Sequence, residues 1–199
     1  MPVARRVWPL VLLLLLGGVR PAAAADWLLT PYIGIWFGGG TSLPDLDQAT
    51  DTTQTGVGVS AALFTEGWLG LEAEASYVPR FFDAGPGTLV TGSRVFTLTG
   101  NLLLAVPRSV TRESLQPYVA VGGGLLNVHL DDLISALDVR STMPAISVGG
   151  GAIGMLSPKT GIRFDFRYVR SVGTGGDLVL VEGPSLRYWR GSIGYVRRF

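Results

Sequence analysis

The chain has 199 residues, 47% of them hydrophobic and 16% charged, with 28 Gly, 12 Pro and no Cys. That length suits one domain or two small ones; so apolar a composition excludes a disordered chain, and the lack of a triplet glycine period or sustained heptads excludes collagen and coiled coil. A net charge of +1 with no Lys/Arg cluster argues against a nucleic-acid partner, and the absence of cysteine removes disulfide scaffolds, thiolate metal sites and thiol nucleophiles.

The first 25 residues differ in kind from the rest. Arg5 and Arg6 precede a nearly unbroken apolar run from Val7 to Gly18, and Ala23 and Ala25 stand just before Asp26. A positive head, a short apolar middle and small residues spaced A-x-A are the parts of a secretory signal peptide. The run is too short for a membrane helix, which needs about 20 residues, so a retained anchor is the lesser alternative. Cleavage is expected before Asp26, which makes residues 1–25 a signal peptide and 26–199 the mature domain. The mature chain loses Arg5, Arg6 and Arg20 and becomes slightly acidic.

Beyond Asp26 the recurring period is two, the signature of strands with two different faces. The first strand is expected over Leu29–Gly38. The second, Thr53–Phe64, sets the small residues Gly56, Gly58, Ser60 and Ala62 on one side. The third, Leu69–Tyr77, opposes Leu71, Ala73, Ala75 and Tyr77 to Glu72, Glu74 and Ser76. The fourth, Arg94–Val106, opposes Phe96, Leu98, Leu102 and Leu104 to Thr97, Thr99 and Asn101. In the fifth, Pro117–His129, and the sixth, Met143–Leu156, glycine runs at 122–124 and 149–151 blur the faces. The seventh, Gly161–Val172, is the clearest, with Ile162, Phe164, Phe166 and Tyr168 opposite Arg163, Asp165 and Arg167. The eighth is Leu186–Phe199.

Short links (Glu66-Gly67, Ser157–Thr160 and, by alternation, Pro107–Gln116) fall at one end with both termini. Long ones (Gly39–Thr52, Phe82–Ser93, Leu130–Thr142, Gly173–Ser185) fall at the other. Strands of ten or more residues joined in this way describe an eight-stranded antiparallel up-and-down transmembrane β-barrel, closed because a sheet in hydrocarbon tolerates no edge. The large apolar side chains would overfill so narrow a ring, which places them on the lipid and the small and charged ones inside. Trp27, Trp68, Tyr77, Tyr118, Tyr168, Trp189 and Tyr195 are candidates for the two interfacial girdles.

The chain ends Tyr195-Val-Arg-Arg-Phe199, with Ile193 and Gly194 before it. In this it resembles the small outer-membrane β-barrel family, the eight-stranded type that includes the transmembrane domain of outer-membrane protein A. The resemblance implies that a terminal aromatic preceded by apolar residues two apart is read by the barrel-assembly machinery, with Gly194, Tyr195 and Phe199 as the assembly signal. Arg197 departs from the apolar residue usual at its place, where its long stem could snorkel to the interface.

Strands 3 and 7 lie four apart in a ring of eight and therefore face each other across the lumen. A buried ion-pair network of Glu72, Glu74, Arg163, Asp165 and Arg167 is expected, with Glu74 and Arg167 at one depth, because an unpaired buried charge is costly. Its expected role is a plug; the alternative is a gate whose arginines exchange carboxylates.

No catalytic residue, cofactor or metal site is assigned. A lipid A deacylase would need a base for its serine, yet His129 is the one histidine and is followed two residues on by Asp131, not serine. It reads as a surface histidine at a strand end. The acids Asp45, Asp47, Asp51, Asp83, Asp131, Asp132, Asp138, Asp177 and Glu182 are placed on outer loops without the spacing of a calcium loop. The expected protein is therefore a non-enzymatic barrel of the bacterial outer membrane with a structural or surface-interaction role: envelope integrity, adhesion or antigen. The alternatives are a narrow pore or gated channel, a lipid A-modifying enzyme and a soluble periplasmic lipocalin-like binder. The expected partners are outer-membrane lipid and lipopolysaccharide, the assembly machinery, and an extracellular ligand reached through the loops.

Overall fold

The computed structural model describes residues 26–41, 53–65, 68–79, 81, 90–111, 115–132, 139–172 and 186–199. Eight strands follow in chain order: β1 (Asp26–Thr41), β2 (Gln54–Thr65), β3 (Leu69–Pro79), β4 (Val90–Ala105), β5 (Leu115–Asp132), β6 (Val139–Met155), β7 (Thr160–Ser171) and β8 (Leu186–Arg198). Each pairs with its neighbours in sequence, and β8 returns to β1, so the sheet is a closed antiparallel barrel. The seam is fastened at the end that holds both described chain ends. There the Arg198 guanidinium lies 2.7 Å from Asp26, and the Phe199 amide donates to the Trp27 carbonyl at 3.0 Å.

Period two governs what the wall shows to each side. Leu71 on β3, Phe96 and Leu98 on β4, and Phe164 and Phe166 on β7 point outward and are exposed, while Glu72, Glu74, Thr97, Thr99, Arg163, Asp165 and Arg167 point inward and are buried. The glycine-blurred strands follow the same rule. On β5, Val119, Val121 and Leu125 face out and Tyr118, Ala120 and Leu126 face in; on β6, Ile146 and Val148 face out and Ala145, Ser147 and Ile153 face in.

Several strands run further than their alternation predicts. β4 begins at Val90 and β5 reaches Asp132, where the two pair; β5 and β6 remain paired at Leu130 and Val139. Asp131 and Asp132 therefore belong to a paired strand and not to a long loop. Backbone pairing continues wherever both chains can stay extended, which β-branched Val90, Thr91 and Val139 favour, whether or not the two faces differ in polarity. The link after β4 carries a single helical turn, α1 (Arg108–Thr111). On β1 the register with β8 shifts between Phe37 and Gly40, at a bulge where Gly38 has φ of 59°. Residues with side chains rarely enter that region, so glycine is needed there.

The interior is filled in three tiers. Leu28, Phe64, Leu103, Ile153 and Val196 close the end near the termini. Trp36, Val78, Val95, Leu126, Val169, Leu186 and Tyr188 close the opposite end. Between them lie the charges.

Candidate functional site

The middle tier is built from strands that face one another. Alternation on β3 sends Glu72 and Glu74 inward, and alternation on β7 does the same for Arg163, Asp165 and Arg167. Arg167, on β7, lies 3.1 Å from Glu74 and 2.5 Å from Glu72, both across the lumen. Glu72 also pairs with Arg163. Asp165 takes Arg167 at 2.8 Å and Arg163 at 3.2 Å. All five residues singled out from the sequence meet in one layer.

The structure adds further members, among them Ser60, which accepts from Arg163 at 3.1 Å, and Asn101, which donates to Glu72 at 3.2 Å. Arg190 on β8 pairs with Glu74 and lies 2.8 Å from Asp165. Tyr32 on β1 donates its hydroxyl hydrogen to Glu74 at 2.9 Å, and Tyr118 on β5 donates to Asp165 at 2.5 Å. The rings serve the arginines as well, since Arg163 lies over Tyr118 (4.7 Å to the ring centre) and Arg190 over Tyr32 (4.9 Å). Tyr118 is thus a lumen residue, 4% exposed, and not part of an interfacial girdle. Its neighbours explain the difference: Pro117 and Val119 are the residues of that stretch that face outward. Arg190 was within reach of the sequence, because counting by twos from an outward Phe199 leaves position 190 inside.

Three arginines oppose three carboxylates, so the tier is neutral as a whole. Glu72 serves Arg163 and Arg167, Glu74 serves Arg167 and Arg190, and Asp165 touches all three. Such sharing offsets the cost of removing charge from water. Glycines on the neighbouring strands, directly paired with Tyr32 and Tyr118, make room for it. A Cβ at Gly58 would sit 2.4 Å from the Tyr32 hydroxyl, and one at Gly151 2.5 Å from the Tyr118 hydroxyl. What remains open beside Glu74, Arg163, Asp165 and Arg190 is about 10 Å³, space for one water molecule at most.

Other predicted residues lie apart from this tier. His129 is at a paired register position on β5, between Arg94 and Arg140 on the flanking strands. Asp45, Asp47, Asp51, Asp83, Asp138, Asp177 and Glu182 fall outside the described residues, as do residues 1–25. Among the described residues no group of three His, Asp or Glu is placed to hold a metal. Tyr195 and Phe199 project outward, 51% and 73% exposed, while Gly194 is buried against Thr30 and Tyr32. Trp27 and Trp68 face outward at that same end, and Tyr77 and Trp189 face outward towards the other.

A closed sheet with an apolar outer wall and its charges paired inside is a transmembrane β-barrel, since only hydrocarbon favours so much exposed Leu, Ile, Val and Phe. The chain belongs to the outer membrane protein beta-barrel domain family, whose model matches residues 10–194, and it is a protein of the bacterial outer membrane. No curated protein matches it. Among solved structures it is similar to Neisserial surface protein A (15% identity, TM-score 0.61, covering 88% of this chain and 99% of that one). It is also similar to OprG from Pseudomonas aeruginosa (16%, 0.59, 88% and 96%). A third is Ail, the attachment invasion locus protein of Yersinia pestis, in complex with the heparin analogue sucrose octasulfate (12%, 0.52, 85% and 98%). At these identities the likeness is one of fold.

Proposed function

We propose that this barrel is a sealed protein of the outer membrane with a structural or surface-interaction role, and that it neither conducts nor catalyses. The observation that carries the reading is the three-tier filling of the lumen, in which two apolar layers enclose a neutral ion-pair layer whose cavity beside Glu74 and Arg190 is about 10 Å³. The network of Glu72, Glu74, Arg163, Asp165 and Arg167, joined by Arg190, acts as a plug that fixes which face of each strand points inward. A strand that slipped by one residue would drive charge into lipid and leave its partners orphaned.

The remaining assignments follow from that reading. Residues 1–25 are an export signal removed before Asp26, and Gly194, Tyr195 and Phe199 are read by the assembly machinery, with Phe199 flanked by Arg197 (6.0 Å from guanidinium to ring centre). The connections on the side away from the termini face the outside of the cell and carry whatever extracellular contact the protein makes. The sulfated sugar bound by Ail gives a precedent for an anionic ligand.

Planar-bilayer recording tests the plug. The native barrel is expected to show no conductance, and Glu74→Ala is expected to lower stability without opening a path. Discrete current steps from Glu74→Ala would replace the plug with a gate. His129→Ala is expected to leave the lipid A of the host membrane unchanged by mass spectrometry, and lost trimming would instead make the barrel an enzyme.

A further inference from the structure

On three strands the first outward position beyond an outward aromatic, going away from the termini, is an arginine: Phe96 then Arg94 on β4, Tyr168 then Arg170 on β7, Trp189 then Arg187 on β8. His129 and Arg140 occupy matching register positions on β5 and β6. On the β7–β8 side two arginines stand alone: Arg170 and Arg187 are directly opposite each other, both exposed, with no carboxylate partner among the described residues. Like charges so placed repel and destabilise the pair unless an anion lies between them.

Below this pair the wall is made to receive something apolar. Trp189 stacks on Phe166 (5.1 Å between ring centres) and packs against Tyr168 (4.8 Å). Next to them the outward Gly191 leaves the wall hollow. An open groove of about 730 Å³ runs from it across Ile193, Ile33, Ile35, Val57 and Tyr77. Gly191 lies four residues below Arg187, about 13 Å along the strand.

We propose that this face binds one phosphorylated, acylated lipid of the outer leaflet, the lipid A part of lipopolysaccharide. Arg170 and Arg187 hold a phosphate in a shared set of charge-assisted hydrogen bonds, the Trp189 and Tyr168 rings cover the sugar, and an acyl chain enters the groove at Gly191. A soluble sulfated polysaccharide fits less well, because each arginine stands one outward position beyond an aromatic of the apolar outer wall, Tyr168 or Trp189. The proposal rests on the membrane reading above.

The test uses the full barrel in detergent micelles with bis-phosphorylated lipid A as the probe, comparing the native chain with R170Q/R187Q and R170K/R187K. Heat-modifiable gel mobility is read in parallel; a native chain without it would sink the membrane reading and not this site. With mobility intact, R170Q/R187Q is expected to bind lipid A at least about tenfold more weakly, a loss of two charged contacts. The lysine variant should retain most binding, and dephosphorylated lipid A should bind the native barrel as weakly as lipid A binds R170Q/R187Q. Four results would overturn the proposal. These are unchanged affinity in R170Q/R187Q, equal affinity for phosphatidylglycerol, stronger binding of sucrose octasulfate at the same arginines, or self-association of the native barrel through this face.

Discussion

Glu72→Gln removes one carboxylate from a tier that balances three against three. Arg163 keeps Asp165 at 3.2 Å, Ser60 at 3.1 Å and Tyr118 at 2.7 Å, and Arg167 keeps Glu74 at 3.1 Å and Asp165 at 2.8 Å. Hydrogen bonds therefore survive, but one positive charge in a closed interior is left without its counter-charge. Breaking a buried pair from one side costs about 3–5 kcal/mol. Arg163→Met should cost a similar amount with the opposite sign of residual charge. The double variant restores neutrality, so its loss should fall short of the sum of the singles by at least ~1 kcal/mol. Urea unfolding in lipid vesicles, followed by tryptophan fluorescence and gel mobility, measures all four corners of the cycle. Additivity within about 0.5 kcal/mol, or a Glu72→Gln variant as stable as the native barrel, would refute the idea that charge balance holds the tier together.

Three further outcomes follow from the same geometry. Tyr118→Phe removes the hydroxyl that donates to Asp165 and accepts from Arg163 Nε, and should cost about 1.5–3 kcal/mol in vesicle unfolding without changing the gel mobility of the folded form. Gly58→Val drives a side chain into the Tyr32 ring and should cost about 1–3 kcal/mol, whereas Gly100→Ala, which meets nothing within 4 Å, should stay within about 0.5 kcal/mol of native; equal effects would show that the packing around Tyr32 is not tight. Phe164→Arg puts a charge on the lipid-facing wall and should cost about 2–4 kcal/mol, while Leu156→Arg, in the link between β6 and β7, should cost about 1 kcal/mol or less by the same unfolding assay.

How much of this was legible in the sequence depended on whether a strand's two faces differ in polarity. β3 and β7 carry charge on one face and Leu, Phe or Tyr on the other, so they fixed the inside of the barrel and five of its six buried charges. β1 hid Tyr32 because Leu28 and Trp36 face in while Leu29, Ile33 and Ile35 face out, so alternation leaves no mark. β5 hid Tyr118 for the same reason, with Ala120, Leu126 and Val128 inside and Val119, Val121 and Leu125 outside. The inward apolar residues are there because the charged tier is capped above and below by the two apolar tiers, and this layering along the barrel axis crosses strands and has no period within any one of them. Alternation does not mark the strand ends where pairing continues past the two-faced pattern, as at Val90, Asp132 and Val139, since the backbone ladder needs no amphipathic pattern to continue.

The central claim is that lipid wets the outside of the wall while its inside is dry and packed. The chain has no cysteine, so single nitroxide labels can be placed in turn at positions 96, 97, 98, 99 and 102 of β4 in vesicles. Lipid-soluble oxygen should relax the labels at 96, 98 and 102, and those at 97 and 99 should respond neither to oxygen nor to a water-soluble relaxant. Labels at 97 and 99 reached from water, or a wall at 96 and 98 closed to oxygen, would contradict the account.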